Sequence, residues 1–164
     1  MDTKQRHEWD VFQQFLPSSA LDMARIECRD PPEPDIWCQG SEGLQYFELA
    51  RLLDKEMQRW RNTAIKTAPN PVPMSTKVKL PEREVLKTKI AKARELYSTC
   101  GLPIDLLLYY DNETFMSGDV PAAPNLDTHY SIVMKPILEQ QTQFRRVYVF
   151  ERHQGQLLYR YPET

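Results

Sequence analysis

The segment LQYFELARL, Leu44 to Leu52, constrains this chain most. Its aromatic and apolar residues suit a strand, yet Glu48 stands at its centre. Side chains on a strand alternate faces, so Tyr46, Glu48 and Ala50 point one way and Phe47, Leu49 and Arg51 the other. A carboxylate on so apolar a strand is costly to bury unless a cation meets it. Just upstream, a run of prolines ends at Asp35, and Ile36-Trp37-Cys38 reads as a partner strand. QGSEG between them supplies the turn, with Gly40 and Gly43 tolerating positive φ. The spacing therefore predicts a β-hairpin that brings Asp35 and Glu48 to neighbouring strands.

The rest of the chain supplies a sheet and its covering helices. Thr3 to Leu16 predicts a first helix, with Trp9, Phe12, Phe15 and Leu16 on one side and Pro17 ending it. ALDMARIECR leads into the hairpin as an extended segment. LLDKEMQRWRNTAI turns helical again, and KTAPNPVPMSTKVKL is a proline-rich loop carrying Lys66, Lys77 and Lys79. PEREVLKTKIAKARELY is the clearest helix, with Pro81 in its first turn, Glu82 and Glu84 complementing its dipole, and Gly101 at its stop. PIDLLLYYD is a strand apolar on both faces. DNETFMSGDVPAAPNLDTHY is expected to be a long polar connection, with His129 solvated. KPILEQQTQF gives a short helix, and RRVYVFERHQGQLLYRYP a closing hairpin that turns near Gly155. Early strands, a helical crossover and a buried strand predict an α/β domain: a mixed central sheet flanked by helices.

Composition bounds the function. The chain has 164 residues, enough for one domain with a real core. With 21 Lys and Arg against 23 Asp and Glu, it is not a basic coat for nucleic acid, although a local basic groove is compatible with that balance. Cys28, Cys38 and Cys100 form no CxxC pair and are expected to be reduced thiols. The N-terminal MDTKQRHEWD is too charged for a signal peptide and no apolar run is long enough to span a bilayer, so a cytoplasmic protein with no membrane partner is expected. His7, His129 and His153 show no metal-ligand spacing, and no P-loop, GxGxxG or G-x-S-x-G is present.

Two carboxylates on adjacent strands make a hard oxygen site suited to Mg²⁺ or Mn²⁺. Such an ion lowers the pKa of a bound water and steadies charge on a phosphoryl group, as phosphodiester hydrolysis requires. A nearby lysine would add charge stabilisation. The plainer account of the same residues makes Asp35 a polar cap after Pro34 and pairs Glu48 with an arginine.

Pro34-Asp35, followed by Glu48 at the heart of the next strand, resembles the PD-(D/E)XK nuclease superfamily. The order helix, hairpin, helix, strand is similar to that superfamily's core, and the resemblance runs from Thr3 to Asp111. Asp30-Pro31-Pro32 and Tyr97 are also similar to bacterial nuclease-like families with DPP before a hairpin and a helix ending in Tyr. The resemblance implies a restriction endonuclease-like fold over residues 1–164, a metal-dependent nuclease acting on DNA or RNA, Mg²⁺ or Mn²⁺ as cofactor, and Asp35 and Glu48 as metal ligands. Glu8 is implied as an additional acid from the first helix, and Glu27 as a further candidate.

The chain departs from that pattern at Ala50, where the superfamily carries lysine. Arg51 points to the other face. In some members the lysine has moved to a helix, and the helix from Glu82 to Tyr97 offers one here. Leu86, Ile90, Ala93 and Tyr97 set its apolar stripe; Lys89 falls inside it and Lys92 at its margin. A lysine there needs an anionic partner or must snorkel to water. Two functional readings stand: a nuclease with Asp35, Glu48 and Lys89 as catalytic residues, and a degenerate member that keeps the fold as a binding or interaction module.

Overall fold

The acid-bearing segment is the second arm of a hairpin at the heart of a six-stranded mixed sheet. The computed structural model describes residues 1–52, 81–111 and 126–163. In chain order these form α1 (Thr3–Ser19), β1 (Met23–Cys28), β2 (Ile36–Gly40), β3 (Gly43–Arg51), α2 (Pro81–Leu96), β4 (Ile104–Tyr110), α3 (Leu126–Val133), α4 (Lys135–Leu138), β5 (Val147–Glu151) and β6 (Gln156–Tyr161). The strands lie in sequence order across the sheet. β1, β2 and β3 are antiparallel; β3, β4 and β5 run parallel; β6 returns antiparallel to β5. The expected mixed sheet with flanking helices is present, with the Ile36 and Phe47 strands paired and the Leu106 strand in the same sheet.

Alternation on the strands divides the interior into two cores. Phe47 and Leu49 of β3 and Leu107 and Tyr109 of β4 pack under α1 with Val11, Phe12 and Phe15. Ala50 of β3 and Leu106 and Leu108 of β4 pack on the opposite face with Leu86, Ile90 and Ala93 of α2 and with Tyr97, which follows it. β4 is buried at every residue because helices cover both its faces.

Several expectations need correction. Pro17 does not end α1, which runs on to Ser19 and closes with Ala20 in a left-handed conformation (φ 57°). A proline this near the end forfeits a single bond, and the Ser18 and Ser19 hydroxyls donate 2.8 Å hydrogen bonds to the Phe15 and Leu16 carbonyls. The side buried by α1 centres on Val11, Phe12 and Phe15, while Trp9 and Leu16 are half-buried. The lead-in segment is a paired strand, β1. The polar connection stops short of Tyr130, since residues from Leu126 are helical. His129 is not simply solvated: it lies edge-on to Tyr130 and 3.8 Å from Glu82. The expected helix after Leu52, the proline-rich loop and most of the 111–130 connection lie outside the described residues. Among the described residues no helix is long and apolar enough to cross a membrane.

Candidate carboxylate–lysine site

Unequal strand lengths create the site. β3 has nine residues and β2 five, and the ladder between them stops at Ile36 opposite Phe47. One step further brings Asp35 alongside Glu48, where, among the described residues, β3 has no further β2 partner. The Asp35 carboxylate takes that partner's place and accepts a 2.8 Å hydrogen bond from the Leu49 N–H. In a strand the N–H and C=O of one residue face the same side, so the Leu49 carbonyl lies along this open edge too.

Glu48 is fully buried. Its Oε1 accepts hydrogen bonds from both Lys89 Nζ and Lys92 Nζ, each at 2.6 Å, and its Oε2 from the Tyr97 hydroxyl at 2.8 Å. Lys89 and Lys92, three residues apart, lie on one side of α2, and Tyr97, immediately after it, still donates its N–H to the Ala93 carbonyl at 2.8 Å. The Lys89 stem lies in the apolar stripe as the sequence indicates, with its nitrogen on Glu48. Ala50, two residues on and on the same face of β3, is small and buried.

From the other face α1 contributes a second pair. Lys4 Nζ lies 3.1 Å from Glu8 Oε1 and 3.5 Å from Asp35 Oδ1. Glu8 is buried, an unusual state for an acid on a helix whose N-terminal residues are mostly polar. Glu8, Asp35 and Glu48 thus face Lys4, Lys89 and Lys92.

The three acids are not electrostatically alike. Burial opposes the Glu48 charge, but Lys89 and Lys92 outweigh it and hold the carboxyl below its usual range. Burial, followed by the Glu48 charge, pushes Asp35 up. Burial and the neighbouring Asp35 likewise push Glu8 up. Glu48 is therefore a firmly ionised anchor, and Asp35 and Glu8 are carboxylates whose charge is poorly compensated. The phenol of Tyr97 is held protonated by burial and by Glu48.

Glu27 is not part of this group. It pairs with Arg25 at 2.5 Å and Arg29 at 3.3 Å on the outer strand. Lys92, expected at the margin, shares Glu48 on equal terms with Lys89. Two features escaped the sequence. Tyr97 is a direct partner of Glu48, a role its place in the apolar stripe concealed. Asp111, at the end of β4, joins Arg152, Arg51 (3.4 Å) and His7 (3.2 Å) in an ionic cluster beside α1.

Divalent metal can be tested against this donor set. Among the described residues no three His, Cys, Asp or Glu side chains are grouped so as to hold a metal ion by themselves. Mg²⁺, however, is commonly held by one or two carboxylates with several waters. The under-compensated Asp35, the ionised Glu48 and the edge carbonyl of Leu49 are hard oxygen donors of the kind such an ion takes, and an ion bound there would share Glu48 with Lys89, Lys92 and Tyr97, which already occupy its two oxygens. Compared with family models, curated proteins and solved structures, the chain matches none, so what this site does is argued from its own chemistry.

Proposed function

We propose that the protein is a metal-dependent phosphodiesterase acting on nucleic acid, of the restriction endonuclease-like type. The observation that carries the reading is the convergence of Asp35 and Glu48 on an open strand edge with Lys89 on the same carboxylate. Asp35 and Glu48, with the Leu49 carbonyl, would hold Mg²⁺ or Mn²⁺. When bound, that ion supplies a water of lowered pKa and a positive charge for the phosphoryl oxygens. Lys89 keeps an ammonium beside the metal-binding acid, placed to contact the attacking water or a phosphoryl oxygen. Lys92 balances Glu48 when Lys89 turns to the substrate, so the buried carboxylate is never left unpaired. Tyr97 fixes the plane of the Glu48 carboxylate. Glu8 adds negative charge on the α1 side and Lys4 offsets it.

The purified protein, given labelled DNA and RNA with Mg²⁺ or Mn²⁺, is expected to cleave at least one of them and to lose cleavage in chelator. Asp35→Asn should lower the rate about 100-fold or more. Lys89→Met should leave metal binding largely intact and remove most of the cleavage. Unchanged rates in both variants would remove these residues from the chemistry.

A second reading is a binding module with this fold and no hydrolysis. Ala50 in place of the strand lysine favours it, as do the two ammoniums that already occupy Glu48 Oε1. It predicts nucleic-acid binding that is indifferent to chelator, with no cleavage under either metal.

A further inference from the structure

A second array lies on the same face of the sheet as Glu48 and one row away. Trp37 pairs with Tyr46 across β2 and β3, and with Glu27 across β1 and β2. Trp37 follows Asp35 by two residues and Tyr46 precedes Glu48 by two. The row Glu27–Trp37–Tyr46 therefore runs beside the Asp35–Glu48 row, about 7 Å along the strands. Two guanidinium groups cover the indole: Arg25 Cζ lies 5.4 Å and Arg29 Cζ 5.3 Å from its ring centroid. Glu27 holds both arginines, Arg25 Nη2 at 2.5 Å and Arg29 Nη2 at 3.3 Å, and Glu33 lies 3.5 Å from Arg29 Nε. Trp37 is half-buried and, among the described residues, joins neither of the two cores. An aromatic ring on a sheet face, outside both cores of the described residues and layered with two arginines that a shared carboxylate positions, is suited to stacking.

We propose that Arg25, Trp37 and Arg29 form a stacking platform for a nucleobase of a single-stranded nucleic acid whose backbone enters the Asp35–Glu48 site, an inference that rests on the phosphodiester reading of that site. Aromatic faces and planar guanidinium groups are the surfaces on which unpaired bases stack. Glu27 and Glu33 offset the two arginine charges, so the array attracts phosphates weakly at long range. Its binding energy comes from the base rather than from the backbone charge. A duplex hides its base faces against one another, and exposing one costs a few kcal/mol. Single strands, flaps and frayed ends meet the platform without that cost.

The test is binding in chelator, so that no strand is cut, using end-labelled oligonucleotides of one length: a base-bearing single strand of DNA or RNA, an abasic strand with the same phosphates, and a duplex. The wild-type protein is expected to hold the base-bearing strand at least about tenfold more tightly than the abasic strand or the duplex. Its affinity should fall only shallowly with added salt. Trp37→Ala should weaken the base-bearing strand about tenfold, to the abasic level, while Trp37→Phe retains most of the affinity. An abasic strand held as tightly as a base-bearing one, or no retention of either by the wild type, overturns the platform; this arm uses the native chain and does not depend on a variant folding. The hydrolytic reading is scored separately by adding Mg²⁺ or Mn²⁺. Base-dependent retention without cleavage overturns hydrolysis and supports the platform. Cleavage of duplex as fast as single strand overturns the platform and leaves hydrolysis standing.

Discussion

The Tyr97 hydroxyl donates a 2.8 Å hydrogen bond to Glu48 Oε2, joining the residue that follows α2 to the centre of β3. The acceptor is ionised and fully buried, so the bond is charge-assisted and its loss leaves a buried oxygen unpaired. Tyr97→Phe is expected to destabilise the fold by about 1.5–3 kcal/mol. Urea unfolding monitored by circular dichroism measures it. A change of a few tenths of a kcal/mol would show that Glu48 re-pairs without the phenol.

Lys89 and Lys92 share Glu48 Oε1, so their contributions are coupled. Either Lys→Met variant leaves one ammonium in place and should cost about 1 kcal/mol or less, since both lysine side chains are partly exposed. The double variant strands a buried carboxylate and should cost about 3 kcal/mol, more than the sum of the singles. Additive losses in a double-mutant cycle would mean that the lysines act on separate partners.

Asp35 makes a pH prediction. Its carboxyl is raised in the folded protein, by burial first and by Glu48 second. A raised carboxyl binds its proton more tightly when folded than when unfolded. Its stabilising effect is therefore full below the unfolded value, near 3.8, and is lost as pH rises through the folded value. Asp35→Asn cannot ionise and keeps an oxygen for the Leu49 N–H. Its thermal midpoint should exceed that of the wild type at pH 7, and the gap should close as pH falls towards 3.8. Glu48 carries the opposite sign: its lowered carboxyl stabilises the fold above about 4.5, and that contribution is lost as pH falls through the folded value. A wild-type protein more stable than Asp35→Asn at neutral pH would contradict the charge assignment.

Ala50 tests why the strand lysine is missing. Its side chain is buried in the core under α2, beside the carboxylate that Lys89 and Lys92 already serve. Ala50→Lys adds volume and a third ammonium there, and should destabilise by about 3 kcal/mol. If thermal melting shows Ala50→Lys unfolding at the wild-type temperature, the helix lysines are not what fills that space.

Much of this architecture is legible in the residues. The hairpin follows from Gly43, whose φ is 109°, and the alternation around Glu48, whereas Gly40 does not take the expected positive φ and serves instead a close approach to the Asp22 carbonyl; α2 follows from Pro81 and its apolar stripe, β4 from an unbroken apolar run. Each signal is local. What stayed hidden depends on neighbours distant in sequence. β1 carries exposed Ala24 and Arg25, and as an outer strand it needs few apolar residues, so its pairing left little trace. Pro17 sends the usual helix-ending signal, but a cost confined to the last turn did not decide the outcome. Glu8 reads as a surface acid until α1 is laid on the sheet, and burial then places it beside Asp35. Lys92 seemed marginal because helical-wheel position ignores the reach of a four-carbon stem. Tyr97, noted as the tyrosine that ends its helix and as part of the apolar stripe, gave no sign of its bond to Glu48, because its ring serves the core while its hydroxyl serves the carboxylate.

Metal binding at Asp35 is the most direct test of the central claim. Calorimetric titration of Mn²⁺ into the wild-type protein and Asp35→Ala, at a fixed pH near 7, compares the site with and without its under-compensated carboxylate. The account predicts one Mn²⁺ bound by the wild type and an affinity lowered at least about tenfold in Asp35→Ala. Equal binding by the two proteins, or none by the wild type, would contradict it.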